Sequence, residues 1–425
     1  MAKQFQKVRG MNDVLPEQWR LFDHVLKSFE QSAEAAGYGR IETPLIEEEA
    51  LFVRTSGEGT DVVDKEMYNF EDRGGKRVSL RPEGTAGVAR AYIEDGMASR
   101  PQPVKLYYVG DMFRYERPQV GRARQHKQIG VEVFGDPNPS ADAQVITLLA
   151  RIYRQSGLRN VSLQINSIGD QTCRQRYRQD FVDYLEAHSA QLSQLDRDRL
   201  ERNPLRVLDS KELTTQEVLN DAPQMLNYLC DDCQKHFAGV LEYLDELGVS
   251  YEINHRLVRG LDYYNRTVFE FYGVREGSMS ALGGGGRYDL LVEELGGKST
   301  PAVGFGSGVE RIVIEMEAEE DLPLVNESEG VYVASLGEPA RLAAFRMIEE
   351  LLDAGVKACG SVDRDGIGSQ LARADKLGVK YAVIIGQKEV KEGTVLLRDM
   401  GSGAQETVKS VELAAELAKR LKTNG

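Results

Sequence analysis

Residues 105–135, KLYYVGDMFRYERPQVGRARQHKQIGVEVFG, constrain the fold more than any other part of the chain. Two short runs flank a polar loop. The first, 106–117, alternates apolar and polar positions. The second, 127–134, sets Ile129, Val131 and Val133 against Gln128, Glu132 and a glycine. A two-residue period points successive side chains to opposite faces of a strand, so the two runs predict an antiparallel pair. From Arg114 to Gln128 the loop carries Arg114, Arg117, Arg122, Arg124 and Lys127 against the single acid Glu116. In a chain of net charge −14, that local reversal has two readings. One is a solvated hairpin tip, which charge alone favours. The other is an anion clamp whose planar guanidinium forks hold phosphates bidentately.

Length and composition narrow the setting. At 425 residues and 41% hydrophobic content, the chain can build two or three domains with separate cores. No run of about eighteen apolar residues exists, which excludes a helical membrane span. The N-terminal MAKQFQKVRG has no apolar secretion signal. Four cysteines, Cys173, Cys230, Cys233 and Cys359, suit a reducing compartment better than a disulfide framework, so a cytosolic location is expected. A pI near 5.1 argues against indiscriminate nucleic-acid binding and leaves room for a local surface that reads one RNA.

Along the chain, Asp13 and Pro16 precede Leu21, Phe22, Val25, Leu26, Phe29 and Ala33 at helical spacing, and Gly37 ends the helix. Residues 38–46 read as a strand broken at Pro44, which suits an edge or an interface. A charged hairpin turning at Gly74 and Gly75 leads into LRPEGTAGVARAY, a strand end entering a helix with Thr85 as its cap. Residues 140–157 predict a helix capped by Ser140, and 161–167 a strand. From Gln171 to about Phe237 strand signals vanish and helical periodicity takes over, which predicts a helical insertion. Strands return at 251–254 and 266–272. A glycine run at 283–286, a helix at 289–295 and a strand at 302–308 entering a helix at 309–316 follow. The acidic, Pro323-bearing stretch 317–329 predicts a linker.

Beyond the linker, strands at 331–335, 356–359, 381–385 and 394–399 alternate with helices at 340–354, 368–377 and 411–421. That alternation predicts a small α/β domain with a mostly parallel sheet. Residues 326–425 hold 14 Lys+Arg and 15 Asp+Glu, so this domain is nearly neutral and opposes RNA less than the remainder does.

Two nucleotide motifs fail on inspection. LGGGGRYD at 282–289 places Tyr288 where the dinucleotide fingerprint needs its third glycine. Gly297, Lys298 and Ser299 resemble the end of a phosphate loop, but Val292 stands where its leading glycine belongs. Cys230, Cys233 and His236 have zinc-like spacing without an evident fourth ligand, so they read as ordinary surface or core residues and no protein-bound structural metal is expected. His24, His188 and His255 read as structural. RLVRGLDYY at 256–264 gathers Arg259, Asp262, Tyr263 and Tyr264 into one turn, and AVGFGSGVER at 302–311 places Arg311 in the first turn of a helix. Phosphoryl or adenylyl transfer without a phosphate loop needs such scattered cations around a polyphosphate, and acids for Mg²⁺. Glu83 adds an acid to the set.

These pieces together resemble the histidyl-tRNA synthetase family of class II aminoacyl-tRNA synthetases, from RGMNDVLP at 9–16 through the terminal domain. Pro44 in IETPLIE matches the first class II motif, FRYERP and its continuation to Glu132 the second, and GFGSGVER the third. LVRGLDYYNRTVFE at 257–270 is specific to the histidine enzymes, and GGGRYD supports it. The resemblance implies an α+β catalytic domain over 1–170 and 239–325, an antiparallel sheet flanked by helices. It further implies a helical insertion over 171–238 and a C-terminal α/β anticodon-binding domain over 326–425.

The same resemblance implies residue roles. Arg114 would hold the α-phosphate of ATP and the carboxylate of histidine, with Arg259 on the opposite side of that phosphate. Arg311 would grip the γ-phosphate and stack on adenine. Glu116 would read the adenine amino group, with Arg122 and Arg124 in the loop closing over the nucleotide. His126 stands where the family commonly has Phe, and would stack on adenine. Glu83, Thr85 and Gln128 would meet the α-amino group, and Glu132 and Tyr264 would bracket the imidazole beside Tyr263. ATP and L-histidine are then substrates, Mg²⁺ arrives with ATP, and tRNA(His) is the acceptor. A homodimer with no membrane association is implied, and the insertion is expected to touch the acceptor arm. Catalytically silent relatives that regulate ATP phosphoribosyltransferase are the rival reading. They tend to lose the terminal domain and parts of the histidine signature, both of which this chain has.

Overall fold

The computed structural model describes residues 5–57, 60, 62–273, 281–319, 330–360 and 366–422. The paired runs form the antiparallel hairpin that their period requires, and the hairpin is built into a large sheet. In chain order the strands of the first unit are β1 Gly39–Arg40, β2 Ile46–Glu48, β3 Tyr68–Glu71, β4 Arg77–Leu80, β5 Val104–Phe113 and β6 Gln125–Phe134. They continue with β7 Ser162–Ser167, β8 Glu252–Ile253, β9 Asn265–Tyr272, β10 Gly283–Arg287 and β11 Ala302–Gly308. Eight of them form one sheet in the order β1-β5-β6-β11-β10-β9-β7-β8. The pairings from β5 to β7 are antiparallel, and the two end strands join in parallel. β2, β4 and β3 make a separate small sheet.

The alternation along β6 has a different meaning from an ordinary half-exposed strand. Every residue from Gln128 to Phe134 is buried. Ile129, Val131 and Val133 face the main hydrophobic core, where Phe22, Val25 and Phe29 of helix Pro16–Ala35 and Val145, Leu149 and Ile152 of helix Pro139–Gln155 cover them. Val104, Leu106, Tyr108 and Phe134 belong to a second core with Tyr263, Tyr264 and Tyr288. Both faces are dry, so the polar members Gln128 and Glu132 are held inside the protein. Burying a side chain such as Phe29 contributes about 2 kcal/mol, and a continuous helix layer is what fixes the sheet for the polar face to be useful.

Several local expectations change. β5 stops at Phe113, four residues short of Arg117, because the Tyr115 N–H leaves the hairpin and donates to Glu66 O at 2.7 Å. Residues 38–46 are mostly not strand: Gly39–Arg40 pairs with β5 and Ile46 begins β2 in the small sheet, with Pro44 in the crossing between them removing a donor. Helix Thr85–Glu94 is not capped by Thr85, which is its first residue. The Glu83 carboxylate does that work, accepting from the N–H groups of Thr85 at 2.6 Å and Ala86 at 2.8 Å. Asn138, not Ser140, occupies the N-cap position of helix Pro139–Gln155, because Pro139 already has a helical φ at its first position. The helix expected at 289–295 is one turn, Leu291–Glu294.

The segment read as an insertion is helical, with helices Gln171–Ala187, Gln194–Arg202 and Leu213–Leu219 around a core of Cys173, Tyr177, Phe181, Leu185 and Val207. Helix Asp231–Glu246 runs through position 238. Its Cys233 lies in that insertion core, while Phe237, Val240 and Leu244 lie in the main core. The linker expected over 317–329 falls, from residue 320 on, outside the described residues.

The chain divides into two units, Met1–Pro323 and Leu324–Gly425. The second unit adds β12 Val331–Ser335, β13 Ala358–Gly360, β14 Tyr381–Ile385, β15 Thr394–Asp399 and β16 Gln405–Lys409, ordered β13-β12-β14-β15-β16. β13, β12 and β14 are parallel, and β15 and β16 are antiparallel additions, so the sheet is mixed and not mostly parallel. β16 and helix Gln387–Glu392 escape a periodicity reading because they are polar and exposed.

A candidate active site on the polar face of the large sheet

The floor of the site is backbone. β6 and β11 pair with Glu132 opposite Gly304, Gly130 opposite Gly306 and Gln128 opposite Gly308. A Cβ added at Gly304 would stand 1.9 Å from Glu132 Oε2, and one at Gly306 2.5 Å from Gln128 Nε2. On β10, a Cβ at Gly284 would stand 2.9 Å from Arg259 Nη1, and one at Gly286 3.0 Å from Tyr264 Cδ1. Glycine is required because functional side chains lie flat across these strands and, at Gly284 and Gly286, the Phe269 and Thr267 carbonyls come closer still, at 2.5 and 2.4 Å. Above the floor is a cleft of about 1060 Å³.

Five guanidinium groups line it, Arg114, Arg259 and Arg311 together with Arg122 and Arg256. Arg114 Nε donates to Pro82 O at 2.8 Å. Arg311, at the start of helix Val309–Met316, donates to Gly121 O at 2.9 Å and Ala281 O at 2.5 Å. Burial, then the Arg122 and Arg114 charges, push the Arg311 pKa below its ordinary value. A cation crowded by cations in a desolvated cleft is a site prepared for an anion. Arg259 enters from the other side, paired with Glu270 and 5.6 Å from the Tyr264 ring centroid. Burial is the largest influence and opposes its charge, but Glu270, Tyr264 and Tyr263 together outweigh it, so its pKa is raised. Among the described residues, the buried Nε atoms of Arg259 and Arg122 have no hydrogen-bond partner. Each keeps a donor for a ligand.

The acids and rings occupy the deeper part. Glu83 is buried, and burial raises its pKa despite two backbone donors and Arg114. Glu132 is fully buried; its carboxylate accepts from Thr85 Oγ1 at 2.8 Å and from the Tyr288 hydroxyl. Burial pushes Glu132 up to about 8, although its hydroxyl donors oppose the shift. Gln128 Nε2 donates to the Tyr108 hydroxyl at 2.9 Å. Tyr263 and Tyr264 pack with ring centroids 4.6 Å apart and planes tilted by 44°, with Tyr288 edge-on to both. His126 is pushed down to about 3 by burial and by Arg114 and Arg311, so its ring is neutral at ordinary pH.

Glu83, Thr85, Arg114, Glu116, Arg122, His126, Gln128, Arg259, Tyr263, Tyr264 and Arg311 therefore line one cleft. Two residues singled out from the sequence do not. Arg124 stacks over Tyr115 at 3.6 Å and takes Gly10 O on its backbone N–H at 2.7 Å, so it fastens the 9–16 segment to the loop. Glu132 lies one layer beneath the lining. His236, read beside Cys230 and Cys233, turns the other way and meets Asp142 at 3.3 Å.

The sequence reading missed Glu270, Tyr288 and Glu310. Glu310 accepts the Lys127 N–H on both oxygens, at 2.8 and 3.0 Å, joining the start of β6 to the Arg311 helix. Glu270 closes the stretch 257–270 on β9, and its place opposite Gly284 of β10 shows only once the strands pair. Nothing local marks Tyr288, whose partner is 156 residues away.

Comparison with known proteins fits this geometry. The histidyl-tRNA synthetase family model matches residues 10–312, and an anticodon binding domain model matches 330–420. A histidine–tRNA ligase of Dehalococcoides mccartyi is 44% identical over 417 residues, covering 98% of this chain and 100% of the relative. One from Pelotomaculum thermopropionicum is 45% identical over 402 residues, covering 94% of each. The apo histidyl-tRNA synthetase of S. aureus superposes with a TM-score of 0.82 at 33% identity, over 98% of this chain and 100% of that one. An ATP phosphoribosyltransferase regulatory subunit/histidyl-tRNA synthetase from Bacillus halodurans shares the fold, with a TM-score of 0.65 at 23% identity, over 91% of this chain and 99% of that one.

Proposed function

The chain belongs to the histidyl-tRNA synthetase family, and from that premise we propose how its residues divide the work. It is a ligase that activates L-histidine with ATP and transfers it to tRNA(His). In the first step a carboxylate oxygen of histidine attacks the α-phosphorus of ATP, and pyrophosphate leaves. In the second, a ribose hydroxyl of the terminal adenosine attacks the carbonyl of the adenylate, and AMP leaves. The nucleophiles belong to the substrates, so the protein supplies position and charge.

In this proposal Arg114 and Arg259 hold the α-phosphate from two sides, stabilising the charge that develops there. Loss of one such donor typically lowers turnover by about 10²–10³-fold. Arg311 takes the γ-phosphate, with adenine between its guanidinium and the neutral His126 ring. Glu116 reads the adenine amino group, and Arg122 closes from the loop. Glu83, Thr85 and Gln128 receive the α-amino group. Glu132, reached through the floor beside Thr85, and Tyr264 bracket the imidazole, with Tyr263 completing the wall. An analogue without an imidazole N–H would leave that buried carboxyl unpaired, which discriminates strongly. Mg²⁺ comes with ATP, held mostly by phosphate oxygens, and the cleft carboxylates Glu116 and Glu310 are the hard oxygen donors on hand.

We further propose that residues 326–425 bind the anticodon, that the insertion over 171–238 meets the acceptor arm, and that the catalytic domain spans 1–170 and 239–325. The functional molecule is a cytoplasmic homodimer joined near Pro44, where Leu45 and Ile46 are about half exposed. The observation that carries the reading is the convergence of Arg114, Arg259 and Arg311 with Glu83, Thr85 and Gln128 on one cleft. Amino-acid-dependent ATP–pyrophosphate exchange, run across all twenty amino acids, tests it. Exchange with histidine alone is expected; exchange with another amino acid, or none, overturns it.

A further inference from the structure

Away from the cleft, the entry and exit of the helical insertion meet at a neck. There Asp170, Cys173, Cys230 and Cys233 bring one carboxylate oxygen and three sulfurs within 4.8 Å of one another. Two helices present them alike. Asp170 is the N-cap and Cys173 the third residue of helix Gln171–Ala187. Cys230 and Cys233 hold the same two places on helix Asp231–Glu246. Asp170 accepts from the Cys173 N–H at 2.9 Å, the Cys230 N–H donates to Cys173 Sγ at 3.1 Å, and Cys230 Sγ lies 3.5 Å from Asp170 Oδ2. All three thiols are unbridged, and Cys173 and Cys233 are buried.

We propose that these four residues form a structural zinc site that clamps the neck of the insertion. A tetrahedral zinc with Zn–S near 2.3 Å and Zn–O near 2.0–2.2 Å spaces its ligand atoms roughly 3.5–3.8 Å apart, within small side-chain movement of the observed cluster. Three soft thiolates and one carboxylate favour zinc over hard cations, and four protein ligands leave no open position for catalysis. On binding, each thiol releases its proton to solvent and no electron moves. The bound site carries a formal charge of about −2, offset by two helix N-termini and in part by Arg174, whose charge is engaged first by Asp262 and Glu294 and then by Asp170 and Cys173.

The clamp has a position as well as a chemistry. Gly169, beside Asp170, accepts from the Arg266 N–H of β9 at 2.8 Å. From the body of the insertion, Arg206 donates to Gly260 O at 2.6 Å and Asn203 approaches Asp262 at 3.3 Å. Holding the neck therefore holds the insertion against the loop that carries Arg259.

Metal analysis of the full-length chain, purified without chelator from zinc-supplemented culture, tests the site. About one zinc per chain is expected. Cys173→Ser and Cys233→Ser should lose it, Asp170→Cys should keep it, and Cys359→Ser, in the other unit, should be unchanged. Stripped and reduced wild-type chain titrated with Co²⁺ should show a thiolate-to-cobalt charge-transfer band and tetrahedral absorption saturating at one equivalent. Zinc-free wild-type chain that gives no such cobalt spectrum overturns the proposal. So does a disulfide among these cysteines in unreduced protein, or zinc content unaffected by both serine variants.

Discussion

At the residue scale, Glu132 is where geometry and titration meet. Its carboxyl sits near 8 in the free protein, whereas a free imidazole titrates near 6.5. Between those values one proton is shared whichever group carries it, so histidine affinity should be flat. Below about 6.5 the ligand must shed a proton, and above about 8 the pair must gain one; both weaken binding. Calorimetric titration of histidine against pH should give this plateau with two falling limbs, and Glu132→Gln should lose the part of the alkaline limb due to this carboxyl. Affinity that climbs steadily through pH 8 would contradict it. For folding, a carboxyl raised by burial contributes fully below its ordinary value and loses that contribution as pH rises toward 8. The melting temperature of Glu132→Gln should therefore gain on the parent as pH increases.

Arg259 and its partner give a second test at this scale. Arg259→Ala should lower the exchange rate about 10²–10³-fold with little change in histidine binding. Glu270→Gln should fall between, because it frees the guanidinium without removing it. Arg259 was legible in LVRGLDYY, but Glu270 was not singled out and Tyr288 was read only as an obstacle to a dinucleotide motif. Each owes its role to a partner on another segment, and residue spacing along one segment carries no trace of it.

At the scale of elements, the strand β11 and the hairpin were readable because their side chains alternate. What the alternation could not say is that the polar face is buried. Polar residues at every second position normally face water, and only the second layer of tyrosines and helix Thr85–Glu94 makes that face an interior. The run Gly283–Arg287 is the converse case. Glycine disfavours strands by propensity, yet here it is central, because β9 and β11 supply its ladder and Arg259 and Tyr264 occupy the space above it. Gly304→Ala, with its Cβ 1.9 Å from Glu132 Oε2, should destabilise by about 1–3 kcal/mol and abolish histidine-dependent exchange. Chemical denaturation and the exchange assay report the two effects separately.

At the scale of the whole molecule, the second unit has its own core of Val331, Val333, Leu351, Tyr381, Val383 and Leu397. A chain ending at Pro323 should retain histidine-dependent pyrophosphate exchange while its aminoacylation falls at limiting tRNA. Equal loss of both would mean that the catalytic unit depends on the second for its fold. Leu45→Asp with Ile46→Asp should shift the mass measured by light scattering toward the monomer; an unchanged mass removes this edge from the interface. The alternation of strands and helices made the second unit legible, apart from helix Gln387–Glu392 and β16, whose exposed polar sequences resemble loops, and the antiparallel pairing of β15 and β16.

Helix Asp231–Glu246 limits how the molecule can be taken apart. Its first turn is committed to the insertion and its last two turns to the main core, so it behaves as a beam set into two walls. A splice that deletes 171–238 would saw through that beam, remove Phe237 and leave Val240 and Leu244 without the turns that align them. A minimal catalytic fragment should instead keep the whole helix and rejoin the chain ahead of Asp231.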